Sequence, residues 1–244
     1  MTVALEIAVT SPAGALVARD AGADRVELCV GLELGGLTPS QALVEATHET
    51  GIPAHALVRC RPGGFTYDDD ELALMEREVR TVLRSGAAGV VVGALRPDRS
   101  LDEDTLRRFV DAARSVSAHA EVTLHRAVDH AADPVATAAR LAGLGVTRVL
   151  TSGGAANAPA GADTIARMVD AAGPVQVMAG AGIRPDDVAA LVATGIAAVH
   201  LSAKRPVDAT GHGGVPMGSG DDGSAHTVTD AGVVAAARRA LDAA

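Results

Sequence analysis

The stretch "GADRVELC", residues 22–29, contains the pattern that decides the fold of this chain. Related stretches begin at Gly86 ("GAAGVVVG"), Gly145 ("GVTRVLTS") and Gly195 ("GIAAVHLS"). In each of them a glycine precedes a short apolar run. Such a glycine commonly ends a helix in a left-handed turn, and the apolar run is typical of a buried strand. The chain therefore repeats a unit of helix end, glycine and strand four times.

A second set of strands alternates with these and leaves through turns that contain proline. After the odd-numbered strands the turns read "TSP", "RCRP", "HAADP" and "GIRP". A two-strand repeat that occurs four times is what a barrel built from four quarters would show. The first strand leads into "VTSPAG", which lacks the glycine-rich phosphate loop of a doubly wound open sheet. That open sheet is therefore the second choice of fold.

Hydrophobic periodicity predicts eight strands, each followed by a helix. The predicted strands are residues 4–9, 25–29, 53–59, 89–92, 121–125, 148–151, 175–179 and 198–202. The predicted helices lie near residues 13–21, 40–50, 69–85, 102–116, 134–144, 162–171, 185–194 and 230–241. Eight such units in about 250 residues are the signature of a TIM (β/α)8 barrel, an α/β fold with one closed, parallel, eight-stranded sheet.

No linker or change of composition divides the sequence, so residues 1–244 are predicted to form a single TIM-barrel domain. One long irregular segment, residues 203–227, is rich in Gly, Asp and Ser and follows the eighth strand. Loops of this length are uncommon in compact domains. The segment is interpreted either as a flexible lid or as a disordered insertion.

Composition excludes several classes of protein. Hydrophobic residues make up 48% and charged residues 21%, as in a packed globular protein. The net charge of −9 and the absence of a basic run argue against a nucleic-acid partner. No run reaches the ~18 apolar residues of a membrane span, and the N-terminus lacks the basic start of a signal peptide. Two cysteines, Cys29 and Cys60, form no disulfide framework, which predicts a cytoplasmic protein with reduced thiols.

Strand alternation predicts which side chains point into the barrel. Apolar Leu5, Ile7 and Val9 suit the helix layer, which leaves the residues between them inside. The same argument applied to every strand produces one polar cluster near the carboxyl ends of the strands, where barrel active sites lie. Its predicted members are Glu6, Glu27, Arg59, Arg61, His125, Ser152, His200 and Ser202, with Cys29 beside them.

The stretch "VTLHRAVDHAADP", residues 122–134, adds charged residues where an apolar strand ends. His125 is predicted to point into the barrel mouth. Arg126 should point the other way by parity, unless the strand has already ended and the chain has turned. Asp129 is a candidate ligand-binding residue, although it could equally begin or cap the turn before Pro134.

This cluster suits a small anion and acid–base chemistry. Arg59 and Arg61 could bind a carboxylate or phosphate in a bidentate way, and Glu27 with His125 could transfer protons. The stretch "MAGAGIRP", residues 178–185, could bring backbone N–H groups of Gly180 and Gly182 close to an anion.

Other interpretations of the same residues stay open. Buried Glu6 and Glu27 could form a structural ion-pair network with Arg59 and His125, and His200 could be a satisfied core residue. A divalent metal could bind Glu27, His125 and His200, although no close ligand pair such as H-x-H supports it. A Schiff-base aldolase is disfavoured because the only lysine, Lys204, lies just beyond the eighth strand.

The ordered motifs resemble the CutC family, known as copper homeostasis proteins. They are "GADRVELC", "GGLTPS", "VTLHRAVD", "RVLTSG", "MAGAGI" and a late "VTD", and they extend over nearly the whole chain. The resemblance implies a TIM-type barrel, a homodimer and a cytoplasmic location. It also implies a role in copper handling, with copper(I) bound by cysteines near the ends of the first two strands.

The sequence departs from the family pattern at two places. The first strand reads "LEIA", so Ala8 stands where relatives carry a cysteine, and only Cys29 matches the thiol pair. After the third strand "RCRPGGF" retains Arg59 and Arg61 but substitutes Cys60. Two hypotheses result: a copper(I)-binding homeostasis protein that uses Cys29, or an enzyme that acts on a small anionic metabolite through Glu27, Arg59, Arg61 and His125. The missing thiol favours the second.

Overall fold

In a computed structural model that describes residues 2–208 and 225–244, eight parallel strands close into a barrel. Each strand pairs with the next one along the chain, and β8 pairs with β1. The strands are Ala4–Val9 (β1), Arg25–Leu28 (β2), Ala54–Leu57 (β3), Gly89–Val92 (β4), Glu121–Leu124 (β5), Arg148–Thr151 (β6), Gln176–Gly180 (β7) and Ala198–Leu201 (β8). The predicted TIM-barrel fold is confirmed.

Helices surround the barrel and connect its strands. They are Pro12–Asp20 (α1), Gln41–His48 (α2), Asp69–Arg84 (α3), Glu103–Val116 (α4), Pro134–Arg140 (α5), Ala162–Ala171 (α6), Val188–Val192 (α7) and Ala231–Asp242 (α8). Side-chain caps define where several of them begin. Ser11 accepts from the Gly14 N–H, and Asp68 and Glu71 form a reciprocal capping box at the start of α3.

The four glycines of the repeat adopt the backbone conformation that the sequence predicted. Gly22, Gly86, Gly145 and Gly195 have φ angles of 97°, 102°, 77° and 85°. At Gly86 a Cβ atom would also lie 2.5 Å from Cγ of His48, so a side chain there would be both strained and obstructed. Each glycine therefore reverses the chain from a helix into an even-numbered strand.

The main apolar core lies between the outer face of the barrel and the helices. Leu5, Ile7 and Val9 are at most 1% exposed and pack in this layer, as parity predicted. The alternate residues of β1 point inward. Glu6 stands beside Arg25 of β2 on one side and beside His200 of β8 on the other, so three polar residues share one level inside the barrel.

Several predicted boundaries are wrong, and two of them matter for the site. β3 ends at Leu57 and β5 ends at Leu124, before Arg59 and His125 respectively. After β5 the chain turns at once, because His125 begins a short 3-10 helix, Arg126–His130. Strand parity therefore does not determine side-chain direction in these two loops.

The predicted irregular segment after β8 has strands at both ends. Lys204–Asp208 (β9) pairs antiparallel with Ala225–Thr229 (β10). The prediction of an irregular segment over 203–227 is therefore wrong at its ends, and its central part lies outside the described residues. Among the residues that the structure describes, no helix combines the length and the apolar character needed to cross a membrane.

Candidate functional site

A network of paired charges fills the amino-terminal half of the barrel interior. Nε of Arg25 lies 2.5 Å from Oε2 of Glu6, which is fully buried. Nη2 of Arg148 lies 2.9 Å from Oε2 of Glu121, and the same guanidinium donates to Gln176. We call these residues, together with His55, the floor network.

His55 connects the two ion pairs of the floor network. Its Nε2 lies 3.3 Å from Oε2 of Glu121, and its Nδ1 lies 3.4 Å from Nη1 of Arg148 and 3.8 Å from Oε2 of Glu6. Burial holds the pKa of His55 below its ordinary value. Of the ion-pair network anticipated from the sequence, only Glu6 is found here: Arg25 and Arg148 supply the cations in place of Arg59 and His125, and Glu121, not Glu27, supplies the second carboxylate.

A cavity of about 550 Å³ opens above the floor network at the carboxyl ends of the strands. We call it the mouth cavity. Its polar lining comes from Glu27, Arg59, His125, Arg126, His130, His200, Ser202 and Lys204. Its apolar lining includes Leu32, Leu57, Phe65, Leu150 and Ile183.

Glu27 and His200 lie together in the wall of this cavity. Nδ1 of His200 lies 2.8 Å from Oε1 of Glu6, and its Nε2 lies 3.9 Å from Oε2 of Glu27. The Glu27 side chain is 9% exposed, and its carboxylate accepts no hydrogen bond from the described residues. Burial, together with the neighbouring Glu6, raises the pKa of Glu27 to about 7, although His200 opposes the shift.

His200 and Glu6, the residues next to Glu27, are both shifted toward their charged forms. Burial would lower the pKa of His200, but the carboxylates of Glu27 and Glu6 raise it above the ordinary value. Burial would likewise raise the pKa of Glu6, but the His200 hydrogen bond and the charges of His200 and Arg25 lower it strongly. Glu6 is therefore a permanent carboxylate, whereas Glu27 can change its charge near neutral pH.

His125 lines the cavity with an unpaired donor. The Ala127 backbone N–H donates to its Nδ1 at 3.1 Å, so in a neutral ring the proton is on Nε2. Nε2 is buried and has no hydrogen-bond partner in the part of the chain that the structure describes. Burial and the positive charge of Arg59 lower the pKa of His125 to about 3, so the ring is neutral at physiological pH.

Arg59 lies in the cavity wall, but most of its donors are used by the protein. Nη1 donates to the carbonyl groups of Leu34 and Gly36 at 3.0 and 3.1 Å, and Nη2 donates to that of Gly63 at 2.8 Å. Its Nε is buried without a partner among the described residues. Arg59 therefore holds two loops together at the cavity and retains only part of its capacity for an anion.

Arg61 is not among the residues that line the mouth cavity. Its guanidinium pairs with Glu71 at the start of α3, donates to the Thr66 carbonyl at 2.8 Å and lies over the ring of Tyr67. The prediction that Arg61 lies in one pocket with Glu27 and His125 is therefore wrong. The cause is the early end of β3, which leaves Arg61 on a loop.

Arg126 lines the cavity, whereas Asp129 and Ser152 lie outside it and hold the Arg126 guanidinium by hydrogen bonds. Arg126 donates from Nε to Asp129 at 2.8 Å and from Nη2 to Oγ of Ser152 at 3.1 Å, while its side chain stays 41% exposed. Asp129 also accepts from the backbone N–H groups of Ser152 and Gly154. Asp129 and Ser152 thus connect the loops after β5 and β6, and neither lines the cavity.

The loops after β7 and β8 form the remaining wall. Gly182 lines the cavity, with a φ angle of 62°, and the preceding Ala181 has a strained φ of 85°. Gly180 does not line the cavity. A Cβ atom at this position would lie 2.4 Å from the Leu150 side chain, so Gly180 faces that side chain. Ser202 and Lys204 complete this side.

The thiols are poorly placed for copper(I). Cys29 is fully buried, packs with Leu57 and Val91, and does not line the cavity. Burial and the nearby carboxylate of Glu27 raise its pKa well above the ordinary value, which disfavours the thiolate that copper(I) prefers. Ala8 lines the cavity, so a cysteine at this position would face it. The residues present do not fit a two-thiol copper(I) site.

Glu6, Glu27 and His200 offer oxygen and nitrogen atoms within 4.8 Å of one another. Both oxygens of Glu6 are already engaged, one with His200 and one with Arg25. Among the described residues two ligands of this group are then left for an ion, fewer than the three protein ligands that catalytic zinc sites usually have. His125 is not part of this group, so the three-residue metal site considered from the sequence does not form.

Sequence reasoning placed Arg25 inside the barrel but left it out of the polar cluster, and it missed Arg148. Both residues open their strands and point inward by the same parity that selected Glu27 and Ser152, so the signal was present in "RVEL" and "RVLT". Phe65 and His130 line the cavity from loops. In loops the period-two pattern is absent, and no comparable signal could have found them.

The sequence model of the CutC family matches residues 3–205. This chain belongs to the CutC family. A CutC family protein from Xanthomonas campestris pv. campestris (strain 8004) is 44% identical over 211 residues, which cover 85% of this chain and 86% of that protein. A CutC family protein from Xylella fastidiosa (strain Temecula1) is 44% identical over 230 residues, covering 93% and 84% of the two chains.

A solved CutC structure has the same fold. The protein from Streptococcus agalactiae, described as a candidate copper homeostasis protein CutC, superposes with a TM-score of 0.74 at 25% identity. The alignment covers 83% of this chain and 99% of that one. The family resemblance read from the motifs is thus confirmed together with the barrel.

Proposed function

We propose that this CutC-family protein is an enzyme that acts on a small anionic metabolite bound in the mouth cavity. One observation carries the proposal: a nine-tenths buried carboxyl group, Glu27, accepts no hydrogen bond from the described residues and has His200 Nε2 only at 3.9 Å, in the same cavity to which Arg126 and Lys204 contribute positive charge. A buried polar group without a partner is costly, and a bound ligand removes that cost. Perturbed ionisable groups in a cleft are also frequent in active sites.

The size and lining of the cavity support the same conclusion. About 550 Å³ lies within the range of small-molecule sites, which combine apolar walls with a few polar groups. The ligand would place its carboxylate or phosphate near Arg126 and Lys204 and its uncharged part against Leu57 and Phe65. Arg59 would add the positive charge of its guanidinium to this wall of the cavity.

The single lysine makes this proposal testable by chemical protection. The full chain is treated with an amine-acylating reagent in the presence of 2-oxo acids and phosphorylated ketoses of three to six carbons, and the modified peptides are quantified by mass spectrometry. We expect a ligand at ten times its Kd to reduce Lys204 acylation roughly tenfold by mass action. The chain unfolded in urea is the control, and there Lys204 should react equally with and without each compound. Equal acylation of Lys204 with every compound would contradict the proposal.

A role in copper homeostasis is the second candidate, and membership of the CutC family is the observation that favours it. Direct copper(I) binding through Cys29 receives no support from the buried, apolar setting of that thiol. A copper-dependent phenotype of a deletion strain that is restored by the Glu27→Gln variant would favour this candidate over metabolite chemistry.

We also propose that the protein acts in the cytoplasm as a homodimer, as the family resemblance implies. The two free cysteines are compatible with a reducing compartment. Analytical ultracentrifugation of the full chain measures the oligomeric state, and a monomer at micromolar concentration would contradict the dimer.

A further inference from the structure

We propose that the mouth cavity transfers a proton at a carbon atom adjacent to a carbonyl group, with Glu27 as the base and the Nε2–H of His125 as the hydrogen-bond donor to the carbonyl oxygen. The inference deepens the proposed function and rests on it, because it names the reaction class for the small anion. Three features of the cavity support it: a buried carboxylate that accepts no hydrogen bond from the described residues, a neutral imidazole donor, and two cationic side chains in the lining.

Glu27 has the placement that a base needs. It lies inside the barrel mouth on β2, nine-tenths buried, with its carboxylate at the cavity surface and no hydrogen bond from the described residues. A carboxylate removed from water is a stronger base than one in solution, because its anion is poorly solvated.

His200 is positioned to receive or return a proton beside Glu27. Glu6 accepts from Nδ1 of His200 at 2.8 Å, and Arg25 holds the other oxygen of Glu6 at 2.5 Å. This arrangement fixes the imidazole plane so that Nε2 faces Glu27, 3.9 Å from its Oε2. Glu6 and Arg25 are therefore positioning residues, in the way that a buried carboxylate orients the histidine of other acid–base pairs.

His125 has the form of a neutral electrophile. The Ala127 N–H fixes Nδ1 as an acceptor, which leaves Nε2–H as a donor with no acceptor among the described residues. The atom is enclosed in the cavity wall, and Phe65 packs on the imidazole with ring centroids 4.9 Å apart. Nε2 is covered by protein atoms in this structure, so a ligand oxygen reaches it when a neighbouring side chain such as Phe65 moves aside, and that oxygen then completes the hydrogen bond. Carboxylate bases and neutral imidazole donors are combined in the same way by ketose–aldose isomerases.

Two cationic side chains of the cavity lining are available for the anionic end of the substrate. They are Arg126, fixed by Asp129, and Lys204, on β9. A carboxylate or phosphate bound by either of them would leave the adjoining carbonyl group inside the cavity that Glu27 and His125 also line. The substrate class is therefore a 2-oxo acid or a phosphorylated ketose.

The chemical step balances without a redox partner. The C–H bond breaks, its proton passes to a Glu27 oxygen, and its electron pair forms the C=C bond of an enolate while the carbonyl π pair moves to oxygen. The enolate oxygen accepts the hydrogen bond from His125 Nε2–H. The proton, or a deuteron from the solvent that has replaced it on Glu27, returns to the same carbon while the electrons on oxygen re-form the carbonyl group, which regenerates the substrate and gives hydrogen exchange.

Hydrogen exchange measures this step directly. The full chain is incubated in D2O with 2-oxo acids and phosphorylated ketoses of three to six carbons, and loss of the α-proton signal is followed by 1H NMR. We expect at least one compound to exchange. The rate should fall about 10³-fold in Glu27→Gln and about 10²-fold in His125→Gln.

Matched variants and a binding measurement make every outcome decisive. Glu33→Gln and His119→Gln change exposed residues outside the cavity and should exchange at the wild-type rate. Circular dichroism verifies that each variant is folded. A compound that protects Lys204 from acylation but does not exchange overturns this inference and leaves the proposed function intact. Exchange that persists at the wild-type rate in folded Glu27→Gln overturns the assignment of the base. If no compound protects Lys204 or exchanges, both proposals fail.

Discussion

The floor network and the mouth cavity, the two halves of the barrel interior, differ in how completely their polar groups are paired. In the floor network the guanidinium groups of Arg25 and Arg148 are paired with carboxylates, and His55 has a polar neighbour at each ring nitrogen. In the mouth cavity Nε2 of His125 has no hydrogen-bond partner among the described residues, and Glu27 accepts no hydrogen bond from them, with Nε2 of His200 3.9 Å from its carboxylate.

This difference separates structural polar groups from functional ones. A buried charge that is fully paired is satisfied by the fold itself, whereas an unpaired polar atom in a cavity is a cost that folding alone does not require. His55 and His125 are both buried histidines, and parity from the sequence treats them alike. Only their partners show that one belongs to the floor network and the other to the candidate site.

The largest expected effect comes from breaking the floor network. Arg25→Met would leave the fully buried Glu6 with His200 as its remaining close partner, and we expect the free energy of unfolding to fall by about 3–5 kcal/mol. Arg107→Met removes an exposed ion pair with Glu103 on α4 and should cost less than about 1 kcal/mol. Denaturant unfolding of both variants measures the difference. If both variants lose the same free energy of unfolding, the floor network does not have the structural role assigned to it.

A smaller effect of opposite sign is expected in the mouth cavity. A carboxyl group whose pKa is raised in the folded state, here to about 7, binds its proton more tightly in that state than in the unfolded chain. The free energy of unfolding therefore falls as the pH rises from the ordinary pKa of about 4.5 through about 7. Glu27→Gln abolishes this loss and should be more stabilising at pH 8 than at pH 5 by roughly 2 kcal/mol.

Denaturant unfolding of Glu27→Gln at the two pH values measures this difference, and Glu33→Gln is the control. Glu33 is exposed and should give the same small change at both pH values. If Glu27→Gln destabilises the protein more at pH 8 than at pH 5, Glu27 is a paired structural carboxylate and the contrast between the two halves disappears.

The sequence predicted the parts of this arrangement that depend on regular strands. The repeated glycines and the period of two identified the barrel and placed Glu6, Glu27 and His200 inside it. Prediction failed where a strand ended early. Arg61 was expected in the cavity and lies outside it because β3 stops at Leu57, and Arg126 enters because the chain turns at His125.

Pairing was beyond the reach of the sequence for a different reason. Whether a buried carboxylate is satisfied depends on contacts between distant strands, such as Glu6 with His200, 194 residues apart. Lys204 was judged to lie just beyond β8, and its place in the cavity lining follows from the start of β9 at that residue. Neither fact is encoded in local periodicity.

The smallest expected effect concerns copper. Because Cys29 packs among apolar side chains and has no thiol partner at Ala8, we expect weak copper(I) binding and a change of less than about tenfold in affinity for Cys29→Ser. Competition titration with a copper(I) chelator measures this, and Cys60→Ser is the matched variant. Tight binding by the wild type that is lost in Cys29→Ser would show that Cys29 is a copper(I) ligand and would contradict this account of the thiol.

The central claim is that the polar atoms of the mouth cavity that lack a hydrogen-bond partner bind a ligand. Long-range 1H–15N NMR of the histidine rings tests this claim most directly. The spectra are recorded at pH 7 without ligand and with the compound that best protects Lys204 from acylation. We predict that His125 is a neutral Nε2–H tautomer in both states, that its Nε2 proton moves downfield when the compound binds, and that the ring signals of His55 stay unchanged. An unchanged His125 ring in the saturated protein, or an equal shift at His55, would contradict the account.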